Sequence, residues 1–130
     1  MDGPVQPEGW VPPIGYSNGY RVGDVLFVAG QVAWDAEARL VGAGDMGAQF
    51  AQALRNVRAV LDAAGCPPER VGRVTVYVTD RHAYVAARRE IGRAWRESFG
   101  RHYPAMALVQ VAALLEEGAM VEVEATAVMP

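Results

Sequence analysis

Val71-Gly72-Arg73-Val74-Thr75-Val76-Tyr77-Val78-Thr79-Asp80 is the stretch on which the fold turns. Successive side chains of an extended chain point to opposite faces, so Val74, Val76 and Val78 fall on one side and Arg73, Thr75, Tyr77 and Thr79 on the other. The alternation predicts a strand with one apolar face, ended by Asp80, a residue suited to cap a helix N-terminus. That helix runs to about Gly100, and Tyr84, Ile91, Trp95 and Phe99 share one stripe along it. Arg88 falls inside the stripe and Arg89 well away from it. Upstream, Met46, Phe50, Leu54, Val57 and Leu61 recur at helical spacing. They predict a helix from an N-cap at Asp45 to about Ala64, with Gly65 as its stop and Pro67-Pro68 barring its resumption.

Beyond these elements the chain reads as strands. Tyr16–Val22 and Val25–Val32 are β-prone runs joined by Gly23-Asp24, a hairpin signal. Trp34–Arg39 is polar enough to be a turn, and Leu40-Val41 is at most a short strand. Met106–Leu114 and Ala119–Val128 are two more strand-like runs, joined by Glu116-Glu117-Gly118. Pro4, Pro7, Pro12 and Pro13 interrupt any periodicity at the start, so residues 1–15 read as an extended arm and residues 16–130 as a single domain. The order is ββαβαββ, an α+β domain with two helices on one face of a sheet. The other face is then left bare. Val25, Phe27, Tyr77, Met106 and Leu108 alternate with the residues placed under the helices, and an exposed apolar surface of that size predicts an oligomer.

Composition excludes several function classes. The 130 residues are 52% hydrophobic and 21% charged, enough to bury a core. All 12 basic residues are arginine, which rules out a lysine Schiff base and the lysine of a phosphate-binding loop. The net charge of −3 argues against nucleic acid and anionic membranes as partners. No apolar run approaches the roughly 20 residues of a bilayer span, and Met1-Asp2-Gly3-Pro4 has no signal-peptide character. Cys66, the lone cysteine, has no internal disulfide partner and no histidine nearby in sequence to activate it, so it reads as a structural thiol in a cytoplasmic protein. Two histidines, His82 and His102, do not make a metal cluster, and neither a metal nor a cofactor is expected. The stretch Val41-Gly42-Ala43-Gly44-Asp45 is only weakly phosphate-like and reads as a turn.

Two features carry possible chemistry. Glu122 and Glu124 lie on the face opposite Val121 and Val123, the face that needs covering. A carboxylate half-buried there either serves as a general acid or base, its pKa raised, or forms an inter-subunit ion pair with an arginine. Arg88, in an apolar stripe, either awaits an anion such as a ligand carboxylate or pairs with one of those glutamates. His102 and Tyr103, at a helix-to-strand junction, read as a cap before they read as catalysts.

The chain resembles the Rid family, also called YjgF, the reactive intermediate deaminases and their relatives. The resemblance covers about Gly15 to Val128 and rests on Tyr16, Ala29-Gly30-Gln31-Val32, Gln52 through Asn56-Val57 to Ala64-Gly65, Val74–Asp80, Tyr103-Pro104-Ala105 and Val121–Ala127. It implies a chorismate mutase-like fold and a homotrimer, with a closed central barrel and small-molecule sites in clefts between subunits. The best-studied branch hydrolyses 2-imino acids and their enamine tautomers to 2-keto acids and ammonia. By the resemblance Glu122 orders the hydrolytic water or moves a proton, with Tyr16 beside it. Ala29, Gly30, Arg88, Met106 and Leu108 surround the substrate. Three positions depart from the family pattern: Met106 stands where an arginine clamps the substrate carboxylate, Ala29 where a serine is usual, and Arg88 where an asparagine is usual. The missing clamp implies related chemistry on an altered substrate, with Arg88 either replacing the lost arginine from the helix side or pairing with a glutamate. The alternative is a trimer of the same fold that binds a metabolite or partner without catalysis. An endoribonuclease, an activity ascribed to some members, fits poorly with acidic charge and no basic stripe.

Overall fold

The computed structural model describes residues 2–130. Its order is β1 (Gly3–Val5), β2 (Gly19–Val22), β3 (Val25–Gln31), α1 (Met46–Ala64), a 3-10 turn at Pro68–Arg70, β4 (Val71–Val78), α2 (Arg81–Ala86), α3 (Arg88–Phe99), β5 (Ala105–Gln110) and β6 (Val121–Val128). The strands form one mixed six-stranded sheet ordered β1-β2-β3-β6-β4-β5, antiparallel except where β5 runs parallel to β4. The last strand of the chain thus enters the middle of the sheet, between β3 and β4. Two main helices accompany this single sheet, the α+β architecture expected from the alternation and helical spacing.

The valines quoted first decide the packing. Val74, Val76 and Val78 are buried, as are Val121, Val123, Ala125 and Ala127 beside them on β6. Phe50, Ala53, Leu54, Val57, Val60 and Leu61 of α1 close over that face. Ile91, Trp95 and Phe99 bring α3 into the same core, alongside α1. Both N-caps read from the sequence form: Asp45 accepts from the Ala48 N–H, and Asp80 from those of His82 and Ala83. Gly65 ends α1 in the left-handed conformation, where a side chain would be strained.

Four details differ from the sequence reading. The proline-rich start contributes an edge strand, β1, paired to Gly19–Arg21. The second helix is interrupted at Ala87, whose N–H is shared between the Ala83 and Tyr84 carbonyls. The run from Met106 is a strand only to Gln110, and most of residues 111–120 form a loop. Most consequential for function, Met106 and Leu108 do not lie on the bare face. They pair in parallel register with Val74 and Val76, which face the helices, and Leu108 packs against the core. Ala105, Ala107 and Val109 occupy the bare side of β5 instead, in register with Arg73, Thr75 and Tyr77. Val25, Phe27 and Tyr77 do lie on the bare face, in the same rows as Val128, Thr126 and Glu122.

Candidate functional site

The predicted site residues, Leu108 excepted, fall into two clefts. The first lies where β3 loses its regular pairing to β6. The register shifts between Val28 and Gln31, leaving Ala29 and Gly30 outside the ladder, and the Ala29 N–H turns to the Asn18 carbonyl at 2.8 Å. Tyr16, Ala29, Gly30 and Glu122 meet there around a cavity of about 310 Å³, walled by Val32, Trp34, Leu115 and Glu116. Gly30 makes the approach possible, because a β-carbon at that position would lie 2.7 Å from the Glu122 carboxyl carbon.

The two glutamates of β6 have different surroundings. Glu124 accepts a 2.6 Å hydrogen bond from the Tyr77 hydroxyl, which pushes the Tyr77 pKa up. Glu122 is half-buried and, among the described residues, has neither an ion-pair partner nor a side-chain hydrogen bond. Burial first, and the charge of Glu124 second, raise its carboxyl above the ordinary carboxylate range. Burial, then the charges of Glu122 and Glu116, also raises the Tyr16 hydroxyl, so it stays protonated and able to donate at neutral pH.

A polar chain, buried at Asn18, Gln31 and Asn56, holds the walls of this cleft. The Trp34 indole N–H donates to Gln31 Oε1 at 3.1 Å, the Gln31 amide to Asn18 Oδ1 at 3.2 Å, and the Asn18 amide to Gln6 Oε1 at 3.0 Å. From α1, the Asn56 amide donates to the Val32 and Trp34 carbonyls at 3.1 and 2.8 Å. Trp34, Leu115 and Glu116 were missing from the sequence-based site. A lone tryptophan in a polar turn was the one available signal. Leu115 is fully exposed and nothing in its spacing marks it.

The second cleft, of about 420 Å³, lies between β5 and the helices. Arg88 and Met106 line it together with Phe50, Tyr84, Ile91, Gly92, Trp95, Arg96, Tyr103 and Pro104. The Arg88 guanidinium donates only to the Val85 carbonyl, in the last turn of α2, at 3.3 Å. Within one chain it pairs with neither glutamate; among the described residues the ion pairs are Arg39–Glu37 and Arg58–Asp62. Leu108 lines neither cleft.

The remaining candidates are structural. Cys66 is buried, its thiol pKa raised by that burial. His102 bonds through Nε2 to the Val71 carbonyl at 2.7 Å. The Gly42–Asp45 stretch is a turn closed by the Asp45 N–H on the Gly42 carbonyl. Among the described residues no three His, Cys, Asp or Glu side chains converge to hold a metal ion, and no helix is long and apolar enough to cross a membrane.

The chain is a single-sheet α+β domain with an unpaired carboxylate in a small cleft, and known proteins match it along most of its length. A family model described as Endoribonuclease L-PSP matches residues 11–129. A RutC family protein of Pyrococcus horikoshii is 35% identical over 116 residues, 88% of each chain. The human 2-iminobutanoate/2-iminopropanoate deaminase is 30% identical over 113 residues, 87% of this chain and 79% of that one. The crystal structure of the Escherichia coli YjgF gene product superposes with a TM-score of 0.84 at 27% identity, covering 97% of this chain and 98% of that one. The chain belongs to the Rid/YjgF family, as the motifs of its sequence implied.

Proposed function

We propose that this protein hydrolyses or tautomerises a reactive imine or enamine, with Glu122 as the acid/base and Tyr16 beside it. The observation that carries the reading is Glu122 itself: a half-buried carboxylate with no partner, packed on Gly30 and facing a cavity of small-molecule size. Unpaired and with its pKa raised by burial, it is suited to exchange protons. Human and other mammalian relatives named as 2-iminobutanoate/2-iminopropanoate deaminases support the C=N class.

In the hydrolytic direction the Glu122 carboxylate takes a proton from water as its oxygen adds to the imine carbon. The C=N π electrons pass to nitrogen, which is protonated. The resulting carbinolamine takes the Glu122 proton on its nitrogen and collapses: the C–N bond breaks, ammonia leaves, and the hydroxyl proton passes to solvent, replacing the one the imine nitrogen took up, as the C=O forms. Tyr16 and the Gly30 N–H orient the substrate. No cofactor takes part.

The two clefts belong to one site only if a neighbouring copy joins them. Arg88 and Met106 lie on the helix side of the sheet and Glu122 on the bare side. A homotrimer in which the Glu122 cleft of one subunit faces the Arg88 cleft of the next supplies both halves and covers the bare sheet.

The test is a coupled assay in which an amino-acid oxidase or threonine dehydratase generates 2-imino acids in situ. Wild type should accelerate ammonia release and Glu122→Gln should not. Equal rates for the two would remove Glu122 from the chemistry. Met106→Arg reports whether a further guanidinium improves turnover of the smallest imino acids; activity in that variant alone would mean the natural substrate has no carboxylate at that position.

A further inference from the structure

We infer that the Arg88 cleft selects a carboxylate attached to an aromatic body, so that the imine this protein handles derives from an aryl 2-amino acid. The inference rests on the reading above for its chemistry and on the cleft for its selectivity.

Arg88, Gly92 and Arg96 follow at i, i+4 and i+8 on α3, so they share one face of the helix, one turn apart. All three line the cleft. Two guanidiniums thus flank a trough about 12 Å long, at 1.5 Å rise per residue, whose midpoint has no side chain. Glycine inside a helix is unfavourable relative to alanine, and here its absent side chain is what keeps the trough open. A β-carbon on Gly92 would lie 3.5 Å from Arg96 Nη1, at ordinary van der Waals distance, so the Arg96 guanidinium borders that open spot. The walls are apolar: Phe50 sits edge-on to Tyr84 with ring centroids 5.9 Å apart, and Trp95 is fixed by stacking on Phe99 and by its N–H bond to the His102 carbonyl. Met106 brings a flexible, polarisable side chain to this cleft, where an arginine would bring charge.

These features divide the work. Arg96 also lines the neighbouring cleft beside Arg58 and Glu97, whereas Arg88 lines this one and keeps most of its donors free. Arg88 therefore takes the carboxylate by a two-point contact. The aromatic ring lies over Gly92 against Ile91 and Trp95, with the Arg96 guanidinium on its face as a cation–π partner. A cavity of about 420 Å³ would be left largely unfilled by a substrate with only one or two side-chain carbons.

The stable 2-keto acids test this by calorimetry on the intact oligomer. Phenylpyruvate should bind about 30-fold or more tightly than pyruvate, the gain expected from burying a ring. Arg88→Ala should weaken phenylpyruvate about tenfold or more, the scale of a charge-assisted contact, and Gly92→Leu should do the same by filling the trough. Arg88 is exposed, so Arg88→Ala should keep its melting temperature even if Gly92→Leu does not fold. Equal affinity for pyruvate and phenylpyruvate, tighter binding of 2-oxoglutarate than of phenylpyruvate, or indifference to Arg88→Ala would overturn the inference. The underlying reading fails separately. If phenylpyruvate binds as expected but the oxidase-generated imine of phenylpyruvate is not hydrolysed faster, the selectivity stands and the enzymatic assignment falls.

Discussion

Glu122 and Glu124 are the same chemical group two residues apart on one strand, and their neighbours give them different tasks. Glu124 is engaged by Tyr77, while Glu122 is left to the cleft. A base must be ionised to act, and burial raises the pKa of Glu122. The acid limb of kcat/KM should therefore lie above the ordinary carboxylate range and disappear in Glu122→Gln, as a pH–rate profile would show. Stability should move the other way. The folded chain binds this proton more tightly than the unfolded one, so stability falls as pH rises from the ordinary carboxylate pKa through the raised one. Denaturant titrations of Glu122→Gln should lack that slope and give a protein no less stable than wild type at neutral pH. Gly30→Ala is a geometric test of the same site. Its new methyl would displace the Glu122 carboxylate, and a shift of about 1 Å at a reacting group costs on the order of 100-fold. The expected result is a loss in kcat of that order with a melting temperature near wild type.

At the scale of elements, legibility followed how local the determining contacts are. α1 was readable because its cap, its apolar spacing and its terminal glycine all lie within its own sequence. β4 and β6 were readable because valines and alanines alternate there with polar residues. β5 misled because both of its faces are apolar, so its orientation is set by pairing with β4 and by no pattern of its own. The break at Ala87 has no glycine or proline to announce it, and β1 is too short and too proline-rich to signal a strand. Tyr16, Gly30 and Glu122 line one cleft, whose remaining walls, Trp34 and Leu115, depend on loop conformation. Gln49 shows how such loops are fixed. Buried on α1, its amide donates to the Gly42 and Gly118 carbonyls, and its Oε1 accepts from the Met120 N–H just ahead of β6. Gln49→Ala should cost about 2–4 kcal/mol in chemical denaturation, because it leaves three partly buried backbone groups without their partner and opens a cavity. It should also lower activity by loosening the start of the strand that carries Glu122.

For the whole molecule, the bare sheet and the divided site call for the same remedy. Tyr20, Val22, Phe27, Val109 and Val128 are all substantially exposed, Phe27 at 48%, in a band across the sheet face opposite the helices. A surface of that kind is normally covered. Sedimentation should give a mass of three chains, and Phe27→Glu, which sets a charge in the middle of the band, should shift it to one. Because no single chain brings Glu122 to Arg88, Phe27→Glu should also be inactive while remaining folded by circular dichroism. The stricter test mixes two damaged chains. Glu122→Gln retains the Arg88 cleft, and Arg88→Ala retains the Glu122 cleft. Each alone has every site impaired. If each site takes one cleft from each of two neighbours, random assembly of equal amounts restores about one quarter of the sites, one half times one half. Co-refolding the two variants should therefore recover activity that neither shows alone. Mixing them as preformed oligomers, without exchange, should recover none. If co-refolding gives no more than the average of the two parents, both residues act within one chain, and the joining of the two clefts by a neighbouring copy is wrong.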